Sequence, residues 1–150
     1  MKEIIIGSDH AGFGLKEELK GLLAARGLAV TDAGAFCADS ADYPDFGVPV
    51  AEGVSSGHYE RGILICGSGI GMSIVANKFP GVRAALCSDA ETARLSRLHN
   101  DSNILVLAGR RLDGGAAEKI MDAWLSTEFE GGRHARRLEK IREIEQKLCK

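Results

Sequence analysis

The chain has 150 residues, 45% of them hydrophobic and 27% charged, with a formal net charge of -2. A length of that order suits one domain, expected here over residues 1–150, that buries about two-thirds of its unfolded surface. The near-neutral balance excludes a basic field that would recruit nucleic acid or a membrane surface, and no apolar run approaches the ~18 residues of a membrane span.

Short apolar runs at residues 3–6, 28–31, 62–66, 82–86 and 103–107 read as strands, mostly continuous in their apolarity. Such runs suit strands covered on both faces, as in a parallel sheet. Between them, residues 14–26, 48–56, 71–77, 89–98 and 115–126 carry helical patterns. The alternation predicts a doubly wound α/β domain. Residues 34–47 form the one long irregular connection, of a length that often carries function. The apolar run at the start is too short for a signal peptide. Cys37, Cys66, Cys87 and Cys149 include no C-x-x-C pair, so a reducing cytoplasm is expected and no metal is.

Ligands of open α/β sheets bind outside the carboxyl ends of the strands, and three segments there carry reactive side chains. The first is Gly7-Ser8-Asp9-His10-Ala11-Gly12, a carboxylate beside an imidazole between glycines. A helix-capping Asp beside an exposed His is the plainer alternative. The second is Cys66-Gly67-Ser68-Gly69-Ile70-Gly71. Its glycines permit a sharp turn that aims successive N–H groups at one point, ahead of a helix N-terminus. It has neither the spacing of a dinucleotide fingerprint nor the lysine of a P-loop. A thiol in such a place is able to act as thiolate beside an oxyanion hole. The plainer alternative is a small buried hydrophobe, which is the reading of Cys37, Cys87 and Cys149. The third is Ser96-Arg97-Leu98-His99-Asn100-Asp101, where His99 either caps its helix or titrates as an acid/base. His58 and His134 read as surface residues.

Residues 133–150 form a basic segment. At ~100° per residue, Ile141, Ile144 and Leu148 share one stripe, into which Arg137 projects and which Arg133 borders. A solvated helix explains most of these charges, but an arginine on a buried face needs an anion.

Six motifs then occur in order: the Gly7–Gly12 and Cys66–Gly71 loops, Asp42-Tyr43-Pro44-Asp45, Ala76-Asn77-Lys78, His99-Asn100-Asp101 and Gly131-Gly132-Arg133-His134. Over residues 2–146 the chain closely resembles the B-type ribose-5-phosphate isomerases, a family that includes galactose-6-phosphate isomerase subunits. The resemblance implies a Rossmann-like three-layer αβα sandwich with a five-stranded parallel sheet. It also implies a cofactor-free, metal-free site, and a homodimer or dimer of dimers whose C-terminal helix packs on the partner and whose active sites are shared. Cys66 would move the proton between C2 and C1. Gly67, Ser68, Gly69, Ile70 and Gly71 would hold the enediolate, and His99, with Asp9 nearby, would open the furanose. Asn100 and Tyr43 would contact the sugar, while His10, Arg133, Arg137 and Arg110 would hold the phosphate. Serine at 68 departs mildly from the threonine of many relatives and keeps the hydroxyl. The expected reaction joins D-ribose 5-phosphate and D-ribulose 5-phosphate in the non-oxidative pentose phosphate route. A six-carbon substrate (allose or galactose 6-phosphate) and a non-catalytic sugar-phosphate-binding subunit are the alternatives.

Overall fold

The computed structural model describes residues 3–148. Five strands, β1 (Ile4–Ser8), β2 (Val30–Asp32), β3 (Arg61–Cys66), β4 (Ala84–Leu86) and β5 (Ile104–Ala108), form one sheet. It is parallel throughout, in the order β2-β1-β3-β5-β4. The described residues also form six helices: α1 (Phe13–Ala25), α2 (Pro44–Ser55), α3 (Ile70–Ala76), α4 (Ala90–Asn100), α5 (Gly114–Ser126) and α6 (Arg133–Leu148).

The apolar strands occupy the centre, as two-sided burial requires. Every residue of β1 and β3 is buried, whereas the edge strands β2 and β4 are not. Because side chains alternate across a strand, the core divides in two. Ile4, Ile6, Ile63, Ile65, Leu105 and Leu107 meet α1, α4 and α5 through Leu15, Leu19, Leu23, Ala93, Ile120 and Trp124. Ile5, Leu64, Cys66, Ile104 and Val106 meet α2 and α3 through Val50, Ala51, Val54, Met72 and Ala76. These are the three layers of a Rossmann-like sandwich.

The predicted strand and helix positions match the observed ones, with ends shifted by no more than four residues. The largest shift is at α2, which begins at Pro44 instead of residue 48. Proline suits the first helical position, where its missing N–H is no loss, and Asp45 sits favourably in the same turn. The irregular connection is correspondingly shorter.

Polar side chains fasten the edges. Asn77 Nδ2 donates to the Ala84 carbonyl at 3.1 Å while its Oδ1 accepts from Ala84 N at 2.9 Å. Asn103 Oδ1 accepts from Arg83 N at 2.8 Å. Lys16, completely buried on α1, donates to Asp32 at 2.8 and 2.6 Å. Burial raises the Asp32 carboxyl, but Lys16, Lys20 and the Gly34 N–H outweigh it and hold the group below its ordinary value.

The apolar stripe of α6 is not buried within the chain. Ile141, Ile144 and Leu148 are 45%, 55% and 76% exposed, and Arg137 is exposed beside them. The expectation of an arginine on a buried face therefore does not hold for one chain alone. What anchors α6 is His134, 5% exposed, and Glu145, whose Oε2 accepts from Gly81 N at 2.7 Å.

Candidate active site

The sheet reverses its strand order between β1 and β3, and the crevice beyond their carboxyl ends gathers most of the candidate residues. After β1 the chain enters Asp9, 7% exposed, whose Oδ1 accepts from Gly12 N at 3.1 Å. His10 Nδ1 accepts from Ala41 N at 3.1 Å. That bond places the neutral imidazole's proton on Nε2, which leaves a donor for a ligand.

After β3 come Cys66, 5% exposed, and the glycine loop. Ser68 Oγ accepts from Ile70 N at 3.2 Å and shapes the turn. Gly69 has φ +78, and a side chain there would also run into Leu86. A Cβ at Gly71 would stand 2.5 Å from the Tyr43 ring, so this glycine lets the tyrosine lie against the loop. Tyr43 itself precedes α2. The loop after β5 closes over the glycine loop: Gly109 N donates to the Cys66 carbonyl at 2.8 Å, and Arg110 N to the Gly67 carbonyl at 3.1 Å. Asp9, His10, Tyr43, Cys66, Gly67, Ser68, Gly69, Ile70, Gly71 and Arg110 thus belong to one edge of the sheet.

His99 does not join them. It lies in the last turn of α4, and the chain then enters the amino end of β5, where Ile104 pairs with Gly62 and Ala84. Cys66 pairs with Ala108 at the other end of the same ladder. The five steps between the six residues of β3, at ~3.3 Å each, separate the two edges by roughly 17 Å. The placing of the third reactive segment at a strand's carboxyl end is therefore corrected. A helix that returns across a parallel sheet finishes at the opposite edge. Asn100 shares that edge, and Arg133 and Arg137 open α6 beside it, both exposed.

At this amino edge the surface reading of His134 is also overturned. Its ring stacks on His99 with centroids 4.3 Å apart and planes inclined by 16°. Glu130 Oε2 lies 3.8 Å from His99 Nε2 and 3.7 Å from His134 Nε2. Sequence reading missed Glu130 altogether. The only signal was its place directly before Gly131-Gly132-Arg133-His134. The three ligand atoms lie within 4.8 Å of one another. An imidazole binds a metal along a lone pair in its own plane, however, and nearly parallel stacked rings do not direct two such lone pairs at one ion. The group is better suited to handling a proton.

The cysteines differ as well. Burial pushes the Cys87 thiol up to about 11, partly relieved by Ser96, so it stays a protonated small hydrophobe. Cys37 is exposed, contrary to expectation, and Cys149 lies outside the described residues.

A family model described as Ribose/Galactose Isomerase matches residues 4–141. The chain belongs to the ribose/galactose isomerase family. Ribose-5-phosphate isomerase B of Escherichia coli (strain K12) is 48% identical to this member over 147 residues, which cover 98% of this chain and 99% of that protein. Among solved structures, Clostridium thermocellum ribose-5-phosphate isomerase B superposes with a TM-score of 0.95 at 54% identity, covering 97% and 99% of the two chains. The Mycoplasma genitalium ribose-5-phosphate isomerase B structure, which has ribulose-5-phosphate bound, gives 0.92 at 41% identity, with 96% of each chain covered. As a member of the ribose/galactose isomerase family, the chain is an isomerase.

Proposed function

We propose that this enzyme interconverts D-ribose 5-phosphate and D-ribulose 5-phosphate through an enediolate, with the Cys66 thiolate as base. The carrying observation is the placement of Cys66 at the mouth of the glycine loop, with Asp9, His10, Tyr43 and Arg110 on the loops around the same edge. An aldose–ketose shift removes a weakly acidic carbon-bound proton. It needs a base within reach and donors aimed at the developing oxyanion. Cys66 takes the proton from C2 and returns it to C1, and the loop N–H groups face the enediolate oxygens. The remote phosphate is held by His10 and by arginines, so its binding energy fixes the scarce open-chain sugar against the base.

His99, Asn100, Arg133 and Arg137 complete this site from a second copy of the chain, in a homodimer or a dimer of dimers. The location of these four residues at the opposite edge supports that reading. So do the uncovered isoleucines of α6 and the exposed Ile70 and Ile74 of α3, an apolar surface suited to a partner. The working unit is then one 150-residue domain, placed in the cytoplasm and in the non-oxidative pentose phosphate route.

The test is conversion of ribose 5-phosphate by wild type, Cys66→Ala and Cys87→Ala, with chelator present. Removal of a general base is expected to cost at least ~10²-fold, while Cys87→Ala stays near wild type. Turnover of allose or galactose 6-phosphate in place of ribose 5-phosphate would move the substrate and keep the mechanism. A fully active Cys66→Ala would refute the thiolate.

A further inference from the structure

We propose that Glu130 and His134 are positioning residues, holding the His99 imidazole in one orientation and one tautomer for the opening of the sugar ring. This rests on the reading of His99 as the ring-opening group and adds the parts that make its geometry reproducible.

The attachment starts at the backbone. Glu130 N donates to the Leu98 carbonyl at 3.0 Å, so the segment carrying the carboxylate is tied to the turn that carries the imidazole. Arg97 strengthens the tie. Its Nε donates to the Thr127 carbonyl at 3.1 Å, and its Nη1 to Asp101 Oδ1 at 2.8 Å and to the Ser102 carbonyl at 2.5 Å. Arg97 is itself 5% exposed, so the corner between α4 and the segment before α6 is braced from inside.

Two contacts then act on the ring. His134 forms a buried wall along one face, which removes the rotation that would carry His99 out of plane. His134 Nε2 is buried without a hydrogen-bond partner among the described residues. Desolvation, then His99 and Arg133, lower its affinity for a proton against the pull of Glu130, so the wall stays neutral. The Glu130 carboxylate faces His99 Nε2 at 3.8 Å, too long for a direct hydrogen bond but close enough to favour N–H at that atom.

The chemistry needs that choice. Opening a furanose moves the proton of the anomeric O1 hydroxyl and breaks the C1–O4 bond, and O4 gains a proton as the aldehyde forms. With Nε2 already protonated, Nδ1 is the lone pair that takes the O1 proton and returns one to O4, and the protons balance. A freely rotating ring would spend part of its time in the wrong tautomer or orientation.

The experiment is a double-mutant cycle on ribose 5-phosphate with His99→Asn, Glu130→Gln and His134→Ala. It is read together with ¹⁵N spectra of histidine-labelled protein, which separate the two tautomers, and with thermal unfolding to confirm folding. Glu130 is half exposed, so its glutamine variant is expected to fold. Glu130→Gln and His134→Ala should each lower kcat about tenfold, short of the ~10²-fold or more for losing His99 itself, with KM little changed. Neither should lower it further in the His99→Asn background, and Glu130→Gln should reduce the Nε2–H form of His99. Wild-type kcat in Glu130→Gln, or a loss that persists in full when His99 is already absent, overturns the positioning role alone. A fully active His99→Asn overturns the ring-opening assignment and the positioning role with it.

Discussion

The two edges of the sheet are built on different plans. The carboxyl edge is made of loops: glycines turn the backbone back on itself, Asp9 and Ser68 bond to nearby N–H groups, and Cys66 sits among them. The amino edge is made of helix ends braced by the buried Arg97, with the His99–His134 stack and two exposed arginines at the start of α6. The first offers a thiol, the base of the proposed mechanism, and backbone donors. The second offers an imidazole and cations for an anion. On the proposed mechanism neither edge alone holds the full set that ring opening, proton transfer and phosphate binding require, and the sheet keeps the two roughly 17 Å apart. A parallel sheet fills its active site from one edge only, so groups on the other edge serve a neighbour or serve packing.

That difference is breakable. The largest effect is expected from Ile144→Lys, which places a charge in the exposed stripe of α6 and so opposes its burial against another copy. Activity should fall at least ~10²-fold, as for losing His99 itself, with a monomer by size-exclusion chromatography and an unchanged far-ultraviolet spectrum. A fully active monomer would mean that the amino edge contributes nothing in trans. Arg137→Ala comes next. Loss of a charge-assisted contact to phosphate, about 1.5–3 kcal/mol, should raise KM ten- to a hundredfold with a smaller change in kcat, whereas an unchanged KM would assign Arg137 to solvent.

These predictions lean on residues of unequal legibility. The central strands were readable because they are buried on both faces and hence apolar throughout, and the glycine loop was readable because few other roles put three glycines behind a cysteine. The side of the sheet on which His99 falls was not readable from its motif. It follows from the direction of α4, which only the strand pairing makes explicit. His134 was read as a surface residue and Glu130 was passed over because each is ordinary in its own segment and becomes distinctive only where α4 and α6 meet. Nothing in the sequence marks Lys16 as a buried lysine. Its burial depends on Asp32, 16 positions away.

That pair gives the smallest effect on catalysis. Lys16→Met should leave kcat near wild type, since neither Lys16 nor Asp32 is assigned a role in catalysis or binding, while costing about 2–3 kcal/mol in urea unfolding for the loss of a buried partner. The pH dependence has a definite sign. The Asp32 carboxyl is held below its ordinary value in the fold, so its stabilisation is complete above the unfolded value near ~4 and is lost as pH falls through the depressed one. Lys16→Met should flatten that acid limb. An unchanged limb would show that Lys20 and Gly34 hold the carboxylate without it.

The division of labour between the edges is tested most directly by mixing two inactive proteins. Cys66→Ala lacks the base at one edge and His99→Asn lacks the imidazole at the other. If each site draws Cys66 from one copy and His99 from its partner, subunit exchange creates dimers with one intact site and one doubly defective site. An equimolar mixture should then recover about a quarter of wild-type activity, the statistical share in a two-fold dimer. A mixture that stays silent after exchange has been verified would contradict the shared site.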